Sequence, residues 1–592
     1  MTKARIQQRV TLSTDTHASL ESIRKISLLG SEGDASAIRD LAKSIDVSTV
    51  NSALRLSLDS ITVSHLTKDG PAVIKGCIRV MKVVATENSK HTPSLNHECV
   101  YVCFRLLVIT LNLCTLKRCG KLGKVLTTYT IRPDANIHAA ISVALSGVIK
   151  NHVNPFAKGL ESDSIDVFGW SFSSGLDRQT PLVTPTDVLM LLKLLWDLRK
   201  SYLQAMLSTS PPALSGLLFL FVRSLSQQHS PIVPDRELLK CKLYELGLRY
   251  LLIGEEDRNQ HEVVGDILGR VSPDDHLWRQ SSKYVDAEDS RCILKAYIDL
   301  IYKTKHNRTE FTMENLYFLL CFIVLSVESH AQGLLSSVIR STLDYTWDLV
   351  LSLEGQKGIG PAVSIGGIFR SLTIILDPTN DRPYRLTRST LKDVMEVMHQ
   401  QDLVNLVAVV ITKLKPGPSW PLSEDSTSTL QSLMAFFYSL SKVFPADQLK
   451  ECFQDYVLDW WKFTQYIHIT TYGFMVSHAG MNAYRDHYGR CNEVWYLVAH
   501  SLGLDPVVDK YRSLCLCSNR RCPTKVPYNH IYQGCQCGCA NCYGNWGYCD
   551  DRCQAIDWQI NWEHRELCSN PSKYASLIEQ LALKRMVKSL PS

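Results

Sequence analysis

Upstream of residue 510, apolar positions recur at helical spacing. Ile38, Leu41, Ala42 and Ile45 follow the i, i+3, i+4, i+7 pattern of a helix with one buried face. Ser48 stands where it would cap a following helix running through Leu58. Thr184-Pro185 opens another, since proline at the first helical position has no N–H to leave unpaired. Val188, Leu191, Leu192, Leu195 and Leu198 form its apolar stripe. Leu430, Leu433, Met434, Phe437 and Leu440 repeat the pattern after a serine- and threonine-rich start. Strict alternation is rare, so few strands are expected. The longest uninterrupted apolar runs, Asn315 to Val327 and Ala213 to Val222, fall short of the ~18–20 residues a bilayer requires. They read as buried core helices, and no membrane partner is expected.

Breaks separate these blocks. Residues 151–185 are rich in Gly, Ser, Asp and Pro, 254–289 are polar and charged, Asp377 to Pro383 is a turn region, and Lys415 to Ser428 is linker-like. The expected organisation is a helical body over 1–510, with sub-blocks 1–150, 186–253, 290–414 and 429–510. A compact module follows over 511–570, then a tail over 571–592 with a short helix from Tyr574 to Lys588. No motif recurs at the ~34–47-residue period of stacked helix pairs. Many helices on short connectors nevertheless predict a mainly-α fold, an irregular α-solenoid-like array, with a multi-helix bundle as the alternative.

Composition changes the picture in one respect. Over 592 residues, 45% hydrophobic and 21% charged content excludes a mainly disordered or collagen-like chain. A net charge of +6 from 64 basic and 58 acidic residues is nearly balanced, which argues against a protein that coats nucleic acid by charge. Cysteine is the outlier. Ten of the 20 lie between Cys515 and Cys568, and the other ten are scattered through apolar segments as small buried hydrophobes. The first twenty residues carry Lys3, Arg5 and Arg9 but no apolar core of a secretory signal, and Asp15 and Glu21 count against a mitochondrial presequence. An intracellular location, nuclear or cytoplasmic, is therefore expected. There thiols stay reduced, which favours metal over disulfides.

The cysteine-rich window offers four ligand pairs: Cys517 with Cys522, Cys539 with Cys542, Cys549 with Cys553, and His564 with Cys568. Ligands at ~2.3 Å around a tetrahedral ion put neighbouring sulfurs roughly 3.8 Å apart, so each pair must project from one short turn. A C-x2-C knuckle does this, and an i, i+4 pair does it from one helical face. The second arrangement suits Cys549/Cys553 and His564/Cys568. Eight ligands suffice for two closed Zn2+ sites, and closed sites are structural, whereas catalytic zinc keeps an open position. No hydrolytic or other enzymatic activity is expected. Trp546, Tyr548, Ile556 and Trp558 are candidates for a small apolar centre. Cys515, Cys535 and Cys537 compete for the early ligand roles, and His530 is a possible substitute.

Tyr548-Cys549, then Cys553-Gln554, Asp557-Trp558, His564 and Cys568 give the pattern YC-x3-CQ-x2-DW followed by H-x3-C. This stretch resembles a MYND-type zinc finger over residues 517–568, under a tenth of the chain. The resemblance implies a cross-braced module with two zinc ions, one held by Cys517, Cys522, Cys549 and Cys553 and the other by Cys539, Cys542, His564 and Cys568. It further implies a protein-interaction module that takes partner segments, in several cases proline-rich and often in transcriptional regulation. Gln554 and Trp558 are then candidates for lining a peptide groove, although a Trp558 packed on its helix would also account for that residue. The sequence departs from the pattern in three places: the x4 spacing of Cys517 and Cys522, an extra residue between Cys542 and Cys549, and a longer stretch from Trp558 to His564.

Other signals lead nowhere. Asn96-His97-Glu98-Cys99 superficially resembles a cofactor-binding stretch of SET-type lysine methyltransferases, but it lacks the following Pro-Asn and precedes the finger. Gly254-Glu255-Glu256 lacks the tyrosine expected downstream. Gly358-Ile359-Gly360 and Gly366-Gly367 read as loops, without a P-loop lysine after them. Histidines 468, 478, 487 and 500 read as surface or satisfied core residues, and Trp460-Trp461 as core filling. The function expected is a zinc-binding scaffold or adaptor for protein partners. The alternatives are a nucleic-acid-associated regulator using Arg520, Arg521, Lys525, Lys584 and Arg585, and the methyltransferase.

Overall fold

The computed structural model describes residues 2–88, 94–131, 136–157, 167–170, 180–209, 211–226, 235–254, 258–271, 273–307, 313–352, 360–377, 385–414, 424–457, 459–464, 466–467, 482–506, 537–538, 547–548 and 551–560. They divide into two compact units, Met1–Phe311 and Thr312–Ser592, each mostly helical. The boundary falls inside the stretch 290–414 that reads as one block in the sequence.

The N-terminal unit runs α1 (Thr2–Ser31), α2 (Ala35–Lys43), α3 (Val47–Arg55), α4 (Gly70–Asn88), α5 (Ser94–Arg118), α6 (Leu122–Ile131), α7 (Ile137–Ala157) and α8 (Pro185–Asp197). It continues with α9 (Arg199–Ser208), α10 (Ser215–Ser226), α11 (Arg236–Leu251), α12 (Arg258–Val271), α13 (Asp275–Gln280) and α14 (Ala287–Asn307). At its centre α5 packs against α3, α4, α7 and α10. Among the described residues, Glu98–Arg118 is the one single helix long and apolar enough to cross a bilayer, and 94% of that window is buried inside the protein. Arg105 and Asn112 interrupt this run in the sequence, which is why it is not the longest apolar stretch there. Burial by four neighbouring helices accounts for its apolarity.

Local chemistry explains the helix starts. Thr184 caps α8 as expected: its Oγ1 accepts from the Asp187 N–H at 3.2 Å and donates to the Asp187 carboxylate at 2.7 Å. The cap of α3 is Asp46, two residues before the expected Ser48. Asp46 sits in extended backbone, its Oδ1 accepts from the Thr49 N–H at 2.8 Å, and Ser48 donates to the same carboxylate at 2.9 Å. A carboxylate at a helix N-terminus gains from the dipole as well as the hydrogen bond, so it outcompetes the serine two residues on. The segment 254–289 is likewise not a break. It contains α12 and α13, because Val263, Val264, Ile267 and Leu268 form a buried stripe that the charged residues around them obscure.

In the C-terminal unit, α15 (Met313–Ser326), α17 (Gly360–Leu376), α20 (Glu424–Val443) and α22 (Asn482–Ser501) pack in succession. A second row comprises α16 (Leu335–Ser352), α18 (Arg388–Gln400) and α21 (Ala446–Phe453), with α19 (Leu403–Lys413) touching α16, α18 and α22. Gly366 and Gly367 lie within α17, not in a loop. A Cβ at Gly366 would meet Thr429 Cα at 3.1 Å, and one at Gly367 would enter the Tyr317 ring, so both glycines permit close helix packing. On α20 the stripe holds except at Met434, which is exposed while Phe436 is buried. Trp460 and Trp495 are core filling. Their rings stack 6.0 Å apart, and each indole N–H donates to the other's carbonyl, at 3.0 Å and 3.1 Å.

Candidate metal centre

Three short described pieces lie in the cysteine-rich window. Strand β1 (Cys537–Gly538) pairs antiparallel with β2 (Gly547–Tyr548), placing Cys537 opposite Tyr548 and Gly538 opposite Gly547. Helix α23 (Asp551–Ile560) follows and packs on β2. The helix begins three positions after the last residue of the ladder.

Around that helix, at ~100° per residue, Cys553 and Asp557 share one face one turn apart. They are 3% and 2% exposed. Gln554 and Trp558 form the neighbouring i, i+4 pair, and they are half-buried and 40% exposed respectively. Ile556, on the opposite flank, is 36% exposed. Ile556 and Trp558 are thus not the small apolar centre expected of them. The thiol and the Asp557 carboxylate hold the inner face, and helical geometry turns the two large apolar side chains away from it. The burial of Asp557 was legible only as its four-residue offset from Cys553.

Of the eight predicted ligands, Cys553 is among the described residues. Cys517, Cys522, Cys539, Cys542, Cys549, His564 and Cys568 lie outside them, as do Cys515, Cys535 and His530. Among the described residues, no three His, Cys, Asp or Glu side chains gather as a metal site. Cys553 is a buried cysteine on a helix docked against a short antiparallel ladder. Those features suit a thiolate ligand. The basic residues of the nucleic-acid alternative, Arg520, Arg521, Lys525, Lys584 and Arg585, and the predicted helix from Tyr574 to Lys588, also fall outside the described residues.

Elsewhere, one cysteine–histidine pair is disarmed by burial. Cys491 and His487 stand i, i+4 with sulfur and Nε2 3.6 Å apart. Burial pulls the imidazole down to about 4 and pushes the thiol up to about 12. Both groups are therefore neutral at pH 7, whereas a nucleophilic cysteine must be a thiolate. His500 is exposed and pairs with Asp505 at 2.6 Å; histidines 468 and 478 are outside the described residues. A cleft of about 220 Å3 between α5 and α9, walled by Val100, Tyr101, Leu198, Tyr202 and Ala205 with Glu98 beside them, is smaller than typical ligand pockets of ~300–1,000 Å3.

No family model matches the chain, and no curated protein matches it. Among solved structures it is similar to a circular tandem repeat protein with novel repeat topology and enhanced subunit contact surfaces. The identity is 12%, the match covers 84% of this chain and 98% of that one, and the TM-score is 0.21.

Proposed function

We propose that the protein is an interaction scaffold: a helical array carrying a C-terminal MYND-like finger that holds two structural Zn2+ ions and docks segments of partner proteins. The cysteine and histidine spacing over 517–568 carries this reading. Cys553 lends support by facing inward on α23 while Gln554 and Trp558 share an accessible stripe beside it. The two rows of helices in the C-terminal unit support the array.

On this reading Cys517, Cys522, Cys549 and Cys553 would hold one ion, and Cys539, Cys542, His564 and Cys568 the other. Zinc supplies structural cross-links, contributing folding free energy on the order of 10 kcal/mol per site. The chain's own role is to keep α23 in place so that Trp558 and Gln554 meet a partner with little loss of entropy.

The test uses the full-length chain. Zinc is quantified per chain, and binding of labelled proline-rich peptides is measured by fluorescence anisotropy. Two ions per chain are expected, with loss of metal in Cys553→Ser and loss of peptide binding, without loss of metal, in Trp558→Ala. Fewer than one ion, or a metal content indifferent to Cys553→Ser, overturns the reading.

A further inference from the structure

In the N-terminal unit a cluster of charge is buried where α9, α11, α14 and the connection before α14 meet. Glu245 and Arg249 stand one turn apart on α11, Arg199 begins α9, Asp289 lies in α14, and Lys283 lies just before it. Glu245, Arg249 and Lys283 are each 1% exposed, and Asp289 is 0% exposed.

The two carboxylates are served unequally. Asp289 takes Arg249 Nη1 at 2.9 Å on one oxygen and Nη2 at 2.8 Å on the other, and it also accepts from the Val285 N–H at 2.9 Å. Both contacts to Glu245 fall on Oε1: Arg249 Nε at 3.1 Å and Arg199 Nε at 3.3 Å. Its Oε2 is buried and meets no donor. Lys283 spends its ammonium on the Trp278 and Ser281 carbonyls and the Ser281 hydroxyl. Other titratable groups at this corner are Cys241 and Tyr244 on α11, Cys292 on α14 and Asp197 beside Arg199. Lys200 is held outside by Asp286 and Glu288.

An ionised carboxylate away from water needs donors on both oxygens, and leaving one bare costs its desolvation. We infer that Glu245 is a buried proton-binding site whose protonation links the packing of α9, α11 and α14 to pH. Burial pushes its carboxyl up to about 7, against the opposing pull of Arg249, Lys283 and Arg199. The folded value therefore lies above the ordinary one of 4.5, so the folded unit keeps a proton that the unfolded chain releases. The stabilisation is full below about 4.5 and is lost as pH rises through about 7. His138 and His152, whose values burial lowers, act with the opposite sign in the same unit. A variant confined to Glu245 leaves their contribution unchanged.

The experiment is amide hydrogen exchange on the full chain from about pH 5 to about pH 8, corrected for the intrinsic rate, with Glu245→Gln beside the wild type. Wild-type peptides from α9, α11 and α14 should lose protection by roughly ten- to a hundredfold across that range, one proton giving at most about tenfold per pH unit. The isosteric amide should flatten this slope. A flat wild-type profile, or the same slope in Glu245→Gln, overturns the proposal. An infrared difference titration of the wild type decides the matter even if the variant does not fold. A protonated-carboxyl band that disappears with a midpoint near pH 7 is expected, and its absence from that range overturns the assignment.

Discussion

Asp402 has φ 51°, a left-handed conformation in which a side chain other than glycine's is strained. Tyr456 holds it there. The phenol donates to Asp402 Oδ1 at 2.5 Å, with the His399 carbonyl at 2.9 Å as its second acceptor. Burial, then this bond to Asp402, pushes the phenol well above its ordinary value, so it stays a donor at every physiological pH. Tyr456→Phe should therefore destabilise the C-terminal unit by about 0.5–1.5 kcal/mol, the net worth of a hydrogen bond whose acceptors water can still reach, since Asp402 is exposed. Chemical denaturation followed by peptide-resolved exchange over α18 and α19 measures this. Gly30 is a steric counterpart in the other unit. A Cβ there would be driven into the Ala72 carbonyl, just as one at Gly76 would meet the Ile26 carbonyl. Alanine ordinarily improves a helix by up to ~1 kcal/mol over glycine. Here Gly30→Ala should instead cost ~1–3 kcal/mol as overpacking, seen as lost exchange protection across α1 and α4.

Among the elements, α8 and α3 begin on side chains that satisfy their own first turn, whereas α10 depends on its neighbours. Tyr250 OH accepts from Leu214 N at 3.4 Å, and Gln260 Oε1 accepts from Ser215 N at 3.2 Å. The difference separates what a sequence can reveal from what it cannot. Thr184-Pro185 was readable because cap and helix are contiguous, while the partners of α10 come from 36 and 45 residues away. Thr184→Ala should cost about 1 kcal/mol, the usual value of an N-cap, and should fray the first turn of α8 in exchange measurements without affecting α10. Between α18 and α19 the axis bends by 54° at Gln401 and Asp402. Trp347 Nε1 supports the bend by donating to the Gln401 carbonyl at 2.9 Å.

For the whole molecule, the division into two units implies separable responses to perturbation. On the proposed function, stripping zinc with a chelator should abolish exchange protection in α23 and leave α15, α17 and α20 unchanged. Far-UV circular dichroism should then report only a small helical loss. Loss of structure throughout the C-terminal unit would mean that the metal supports more than the finger. In the N-terminal unit Arg249 joins α11 to α14 through Asp289 and through the Lys283 carbonyl, which its Nη2 reaches at 2.9 Å. Arg249→Met should cost ~3–5 kcal/mol, because it strands a buried Asp289. Thermal unfolding of that unit measures the loss.

The helical class, the α8 cap and the burial of α10 and α15 follow from the sequence by itself, since each depends on residues adjacent in the chain or spaced by one helical turn. The cysteine spacing near the C-terminus is equally local, which is why ligand pairs can be drawn from the sequence alone. Tertiary structure decided the rest. Within the polar stretch 254–289, Arg258–Val271 is a helix because α12 packs on α7, α10 and α11. Glycines 366 and 367 sit inside a helix because α20 and Tyr317 press against them, and Glu245 is half-served because Asp289, 44 positions further along, takes two of Arg249's N–H donors. A chain encodes its turns and periods locally, but burial and charge pairing depend on which distant segments meet, and that information appears only once the helices have packed.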